Sequence, residues 1–553
     1  MNKFVEKNIS LLIFLLIILI AVFLRFNKLG LNPPSLDWDE ASIGYNAYSI
    51  LQTGADEYGN KFPLSIRSFD DYKPPIYVYL AIPSIAVFGL TEFAVRLPAA
   101  LIGIAAVVVV YFFVKEILYN WDKNKREHIA LASAFFLAIS PWHLQFSRAA
   151  FEGNVGMFFL ILSLLFFFKG LKNKYFYLPF AAAFVLSIYS YHSFRLISPI
   201  LLLVLLALFY KQLVKQKILI IISLIIIVIL SAATYVSFFS ASGAGARLSM
   251  VTVFSDPTLQ MKSAKNIVNA KKSNNFIGEI LNNRRVIFIP TIVRGYFDHF
   301  NFDFLFVHGD GGVQHHAYNM GMLYLWDFPF IILGIVFLSK KINRRIFLLF
   351  ILFLLAPIPA AITTGTPHPV RAIAMIPGFQ IFSSAGFILT LSMILQKKYK
   401  PIGIVIALIV IICLASNVKY YLESYYVNTP IKYGYFWQYG YKEALTYAKT
   451  NESKFKNIVM TYEYDQPYIY YLFYNKINPK WYQENWDYNK NGKVDRFQRV
   501  IGKYTFKNIE YSKDINISNA LLIGTSREIP ENAKVIKTIK YLDGKIAFKI
   551  VKT

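Results

Sequence analysis

Long apolar runs separated by short polar stretches dominate the chain. The runs 11–26, 97–114, 151–168, 196–209, 218–239 and 372–395 carry almost no charge, and most approach the roughly 20 residues that a helix needs to cross the hydrocarbon of a bilayer. They predict membrane spans rather than core helices. The first has Lys3 and Lys7 ahead of it and no small-residue cleavage site behind it, which predicts a retained first span and not a signal peptide. The run 76–90 contains Pro83 and follows Lys73-Pro74-Pro75. At about 15 residues it is marginal for a crossing and predicts a juxtamembrane or interfacial helix. From Asn417 the pattern changes. The runs 457–462, 520–523, 535–541 and 545–551 are β-branched and alternating, the last two joined around Asp543-Gly544, and a helix is expected near 441–449. The expected fold is an all-α polytopic membrane bundle of about eleven transmembrane helices plus juxtamembrane helices. It spans 1–416, with a small α/β domain over 417–553.

Composition agrees: 56% of the 553 residues are hydrophobic, 17% aromatic and only 16% charged, unlike a soluble protein. Lys and Arg outnumber Asp and Glu by 58 to 32, which first suggests nucleic acid. The bases, however, sit in short clusters between spans, as the positive-inside rule and anionic headgroups require, so no nucleic-acid partner is expected beside membrane lipids. With the amino terminus in the cytoplasm and 76–90 not crossing, the clusters 115–126, 169–174, 211–217, 340–345 and 397–400 all fall on the cytoplasmic side. The loops 30–96, 141–150, 191–195, 240–320 and 363–371 and the tail are then extracytoplasmic. They hold most of the carboxylates, histidines and isolated arginines. The single cysteine, Cys413, excludes an intramolecular disulfide.

The first outer loop opens with Asp37-Trp38-Asp39-Glu40. As a solvated helix start these acids would do little beyond capping through Asp37; as catalytic groups, one deprotonates an acceptor hydroxyl attacking an activated sugar. Asp70-Asp71-Tyr72-Lys73 precedes the prolines, and Arg96 stands at the foot of the second span. Lys73 and Arg96 can hold a lipid phosphate or ordinary headgroups. Glu152 and Asn154 begin a span after Ser147-Arg148, where an ionisable group usually has a task, although an acid there also suits the helix dipole. His192-Ser193-Phe194-Arg195 and His368-Pro369-Val370-Arg371 share a layout, a histidine and then an arginine three residues on. Their arginines suit phosphate oxygens or a structural ion pair. His299, His308, Asp310, His315 and His316 could bind a divalent metal, but no spacing has ligand specificity. Gly309, Gly311 and Gly312 beside them suggest a mobile loop. Asp487 to Asp495 imitates the opening of a calcium loop, but Gln498 replaces the bidentate glutamate, so an Asn-Gly turn is the better reading. The tail aromatics Tyr420, Tyr421, Tyr425, Tyr426, Tyr433, Tyr435 and Trp437 suit either sugar stacking or packing at the membrane surface.

Asp39-Glu40, Lys73-Pro74-Pro75, Glu92 to Pro98, Ser147-Arg148 with its downstream acid, and Pro367-His368-Pro369-Val370-Arg371 together resemble the protein O-mannosyltransferase and lipid A aminoarabinose transferase superfamily over roughly 11–414. These are multispan glycosyltransferases of the GT-C fold. The resemblance implies that Asp39 is the base or acceptor-orienting acid with Glu40 beside it, and that Lys73, Arg96 and Arg371 neutralise a carrier phosphate. Glu152 would replace an aspartate that members often carry. Tyr72 stands where aminoarabinose transferases have a glutamate, which weakens a metal site there. With Arg148, His192, Arg195 and His368 as further substrate-binding residues, the expected reaction moves a sugar from a polyprenyl-phosphate donor to an acceptor hydroxyl on a protein, lipid or glycan. A single inverting displacement is expected, since no separate nucleophile with its own base is evident. The alternative is a transporter or flippase of a lipid-linked sugar, which would need ionisable groups deep within spans.

Overall fold

The computed structural model describes residues 3–239, 251–396, 400–485 and 498–553; the calcium-loop-like segment starting at Asp487 lies outside them. The chain forms two compact units. The first comprises Met1–Arg25, Leu101–Ser147 and Glu152–Tyr421; the second comprises Phe26–Ala100, Arg148–Phe151 and Leu422–Thr553. The second unit thus joins residues 26–100 to the tail.

The first unit is helical. Seven helical stretches among the described residues are long and apolar enough to cross a membrane, and the 45-residue stretch His192–Val236 contains two helices, His192–Leu213 and Lys217–Phe239. Asp327–Ser339 is a shorter apolar helix, and Lys123–Ile139 and Tyr177–Ser190 pack among the long ones. Among the described residues, seven stretches have the length and apolar character of a span where about eleven spans were expected. Helices Asn8–Phe26 and Pro401–Tyr433 are only 22% and 6% buried despite their apolar character. Side chains such as Leu12, Leu19, Ile404 and Ile412 point outward, which is stable in lipid and not in water. The chain is a multi-pass membrane protein. Helix Ile76–Phe88 has 13 residues, about 20 Å at the helical rise, well short of a hydrocarbon core of roughly 30 Å.

Glycines set the closest helix packing. A Cβ on Gly334 would lie 1.8 Å from the Phe382 carbonyl oxygen, and one on Gly386 would lie 1.9 Å from that of Phe330. Backbone therefore meets backbone between Asp327–Ser339 and Ile376–Ile394, the device that lets apolar helices associate where no hydrophobic drive separates helix from lipid.

In the second unit, strands β1 (Ile66–Ser68) and β2 (Asp71–Lys73) form an antiparallel hairpin. The tail carries a six-stranded sheet of β3 (Asn457–Met460), β4 (Arg499–Ile501), β5 (Tyr504–Phe506), β6 (Ala520–Gly524), β7 (Val535–Lys540) and β8 (Ile546–Lys552), in the order β4-β5-β3-β6-β8-β7. Strand β3 runs parallel to both β5 and β6, and the other pairs are antiparallel. Central β6 is buried at every position while edge strand β7 alternates, as burial on two faces and on one face respectively requires. Four expected strands are found within one or two residues of their bounds, as is helix Tyr441–Asn451. Strands β4 and β5, three residues each, are too short for an alternation signal.

Either glycine replaced by alanine, Gly334→Ala or Gly386→Ala, should cost about 1–3 kcal/mol through overpacking. The expected result is a lower thermal midpoint for loss of monodisperse protein in detergent; an unchanged midpoint would show that the two helices tolerate separation.

Candidate functional site

Helix Trp38–Thr53 starts with a capping box. Asp37 Oδ1 accepts from the Glu40 amide at 2.7 Å, and Glu40 Oε2 reaches back to the Asp37 amide at 3.4 Å. Asp37 therefore caps the helix, as its position suggested. It is buried, and burial first, then the carboxylates of Glu40 and Asp39, push its carboxyl well above the usual range.

Glu40 is locked to Arg96. The guanidinium donates from Nε to Oε1 at 2.9 Å and from Nη2 to Oε2 at 2.8 Å, the forked geometry of a bidentate pair. Its remaining hydrogens go to the carbonyls of Pro33 at 2.8 Å, Ser35 at 2.6 Å and Leu29 at 3.3 Å. Glu40 Oε1 also accepts from the Ala150 amide at 2.9 Å. Side-chain exposure is 0% for Arg96 and 3% for Glu40. These two predicted site residues thus fasten the loop to the feet of two helices.

Asp39 behaves differently. Successive helical residues point about 100° apart, so with Glu40 turned inward Asp39 turns out. Its side chain is 50% exposed and pairs with Lys73, which is 7% exposed. Lys73 ends β2 opposite Ile66. The hairpin turn places Phe69 and Asp70 at φ 56° and 63°, the left-handed pair that matches strand twist, and Phe69 packs edge-on against Tyr468 of the tail at 6.0 Å. Arg148 is buried, donating from Nε to the Tyr425 hydroxyl at 3.0 Å and from Nη2 to the Asn27 carbonyl at 2.7 Å, with Tyr425 and Tyr426 each 5.2 Å from its guanidinium carbon. Trp437 lies 5.9 Å from that of Arg96. Buried Tyr425 and Trp437 are therefore partners of arginines; of the tail aromatics, Tyr420 and Tyr435 are 49% exposed.

The first unit gathers the other predicted residues. Glu152 is the first residue of helix Glu152–Gly170. One residue on, Gly153 lies against Val370, and one turn on, Gly156 lies against the ring of Phe194, closer than a Cβ would allow. Two glycines thus bring the segments of Glu152, of His192 and Arg195, and of His368 and Arg371 to one helix end. Arg371 donates to the Thr363 hydroxyl at 2.6 Å and the Thr364 carbonyl at 3.1 Å. The His368 amide donates to His299 Nε2 at 3.0 Å, and His299 Nδ1 lies 2.8 Å from the Gly295 carbonyl, which sets the neutral tautomer with the proton on Nδ1. Burial holds the His299 imidazole below its ordinary pKa. Asp310 takes His315 Nδ1 at 2.8 Å, and the His315 ring lies 5.1 Å from that of His368. Among the described residues no group of three or more His, Cys, Asp or Glu is arranged to hold a metal ion.

Sequence patterns gave no sign of His299 as the support of His368, nor of Tyr425 as the partner of Arg148; the only available signals were a lone histidine and an aromatic run far along the chain.

Solved structures share this fold, a helical membrane bundle with a small sheet domain. The chain is similar to ArnT from Cupriavidus metallidurans at 11% identity, covering 99% of this chain and 98% of that one, with TM-scores of 0.52 for the apo structure and 0.51 for the structure bound to undecaprenyl phosphate. It is also similar to the oligosaccharyltransferase of Archaeoglobus fulgidus in the apo form, at 15% identity and TM-score 0.52, covering 85% of this chain. The chain spans 64% of the length of that enzyme. Residues 72–235 match the family described as dolichyl-phosphate-mannose-protein mannosyltransferase, and a search of the curated proteins returned no match. The resemblance read in the sequence motifs is thus met by the family match over 72–235 and by the fold.

Replacing Arg96 by Met should leave the Glu40 charge buried without its partner and cost about 3–5 kcal/mol. Thermal unfolding checks this, and the double variant Arg96→Met with Glu40→Leu should recover most of the loss. For His299 the lowered pKa means that its contribution is complete above about pH 6.5 and is lost as pH falls from there toward the folded value. The unfolding midpoint should decline below that pH, and the decline should be smaller in His299→Gln.

Proposed function

We propose that the protein is a membrane glycosyltransferase that moves a sugar from a polyprenyl-phosphate donor to an acceptor hydroxyl on the extracytoplasmic face, with inversion. The observation that carries this reading is the contrast between two neighbouring acids: Glu40 is buried on Arg96 while Asp39 is half exposed on the same capped helix and paired with Lys73. A base on a rigid element beside a cation is what in-line displacement at an anomeric carbon needs.

In the proposed step the Asp39 carboxylate takes the proton of the acceptor hydroxyl as that oxygen bonds to the anomeric carbon. The bond from that carbon to the phosphate oxygen breaks, and its electron pair leaves on the polyprenyl phosphate. Lys73 neutralises charge as it develops there, as a cation that tightens toward the transition state must do to accelerate the step. For Arg371, Arg195, His192, His368 and Glu152, which belong to the first unit, the proposed role is binding of the donor. Glu40, Arg96 and Arg148 are positioning residues in this reading, because their hydrogen bonds go to protein groups. Support for the donor class comes from the fold shared with ArnT, whose structure was determined with undecaprenyl phosphate, and from the family match over 72–235. The distribution of basic clusters supports the extracytoplasmic part of this reading.

Purified protein supplied with polyprenyl-phosphate sugars should release carrier phosphate. Asp39→Asn should lower that rate by about 100- to 10,000-fold, the usual share of a general base, while carrier binding persists. Full activity in Asp39→Asn would remove the assignment.

A further inference from the structure

A cleft of about 550 Å³ opens within the second unit, and its lining includes neither Asp39 nor Lys73. One wall is the face of helix Tyr441–Asn451 that presents Thr446, Tyr447, Thr450 and Asn451; the other is the segment of Gly30, Leu31, Pro34 and Ser35. Two ion pairs line it. Lys442 Nζ meets Glu92 Oε1 at 2.7 Å, and Lys537 Nζ meets Glu443 Oε1 at 3.0 Å. Each lysine also lies over a tyrosine ring of the cleft, Lys537 over Tyr447 at 5.2 Å and Lys442 over Tyr474 at 5.8 Å.

The chemistry of this lining selects its ligand. Two carboxylates and two ammonium groups balance, so neither a phosphate nor a polycation finds surplus opposite charge. Each charge has its ion-pair partner, and the hydroxyls and amide of Thr446, Tyr447, Thr450 and Asn451 in the same lining offer donors and acceptors. Such an alternation fits a ligand that carries many hydroxyl groups, each able to donate and accept, and no net charge. The tyrosine rings add the flat apolar surface on which the C–H face of a pyranose rests. The walls are also set in advance: helix Tyr441–Asn451 is fixed to the sheet through Tyr441, whose ring packs 5.2 Å from Phe548, and Tyr441 stacks on Tyr470 at 4.4 Å. A preformed wall spares the ordering cost that weakens sugar binding elsewhere.

We infer that this cleft binds a neutral saccharide, and that the saccharide is the body of a glycan acceptor whose growing end receives the transferred sugar. The second half of this inference rests on the transferase reading above; the binding of a neutral saccharide does not.

The test uses the full-length protein in nanodiscs and the neutral disaccharides mannobiose, cellobiose and chitobiose, with saturation-transfer NMR to detect contact. At least one should bind the wild type. Tyr447→Ala and the charge-neutral pair Glu443→Gln with Lys537→Gln should each weaken binding tenfold or more, with the thermal midpoint and the binding of undecaprenyl phosphate unchanged. In a transfer assay the same variants should raise the acceptor KM and leave kcat unaltered. Saccharide binding that persists in both variants, or a neutral peptide or inorganic phosphate that binds here where no disaccharide does, overturns the inference. Repeating the binding in the Asp39→Asn protein separates the two readings: saccharide contact retained there, with its sensitivity to Tyr447→Ala, keeps the cleft even if transfer proves to need no Asp39.

Discussion

The buried pair of Glu40 and Arg96 is the constraint on which the second unit turns. Two charges taken out of water are costly unless every lone pair and every hydrogen is met. Here the guanidinium is met by both carboxylate oxygens and by three backbone carbonyls, and one of those oxygens also takes the Ala150 amide. That set of bonds ties the start of helix Trp38–Thr53 to residues 29–35, 96 and 150. Asp39, the next residue along, inherits a fixed direction from it. The exposed acid is oriented by a neighbour that is itself unavailable to substrate.

A second constraint is the use of residues distant in sequence as the surroundings of charged groups. The tail supplies Tyr425 to Arg148, Trp437 to Arg96 and Tyr468 to the hairpin that carries Lys73. An arginine surrounded by aromatic rings keeps its charge at lower desolvation cost than one placed among aliphatic groups, because the ring faces are electron-rich. The first outer loop and the tail therefore make one folded unit. In the first unit the same economy of contact is reached through glycine: Gly153 and Gly156 let Val370 and Phe194 reach the end of helix Glu152–Gly170, and Gly334 and Gly386 let two backbones touch.

The roles assigned to the candidate residues divide by what each side chain already holds. Asp39 is half-exposed and pairs with the buried Lys73, so the acid is open to a substrate on its exposed side. Arg96, Glu40 and Arg148 are buried and hold one another, backbone or tyrosine groups in the interior. Sequence position alone ranks Asp39 and Glu40 together; only their burial separates them.

The sequence by itself determined that the chain is a multi-pass membrane protein and where four strands of the tail lie, because hydropathy and strand alternation are local properties that the solvent on either side imposes. It also determined that Asp37 caps a helix, since capping is decided within four residues. Which acid is exposed, which arginine is consumed by a carboxylate, and that His299 supports His368 were decided only by the tertiary structure. Those outcomes depend on partners tens to hundreds of residues away, and no local pattern records the distance at which a charge meets its counter-charge.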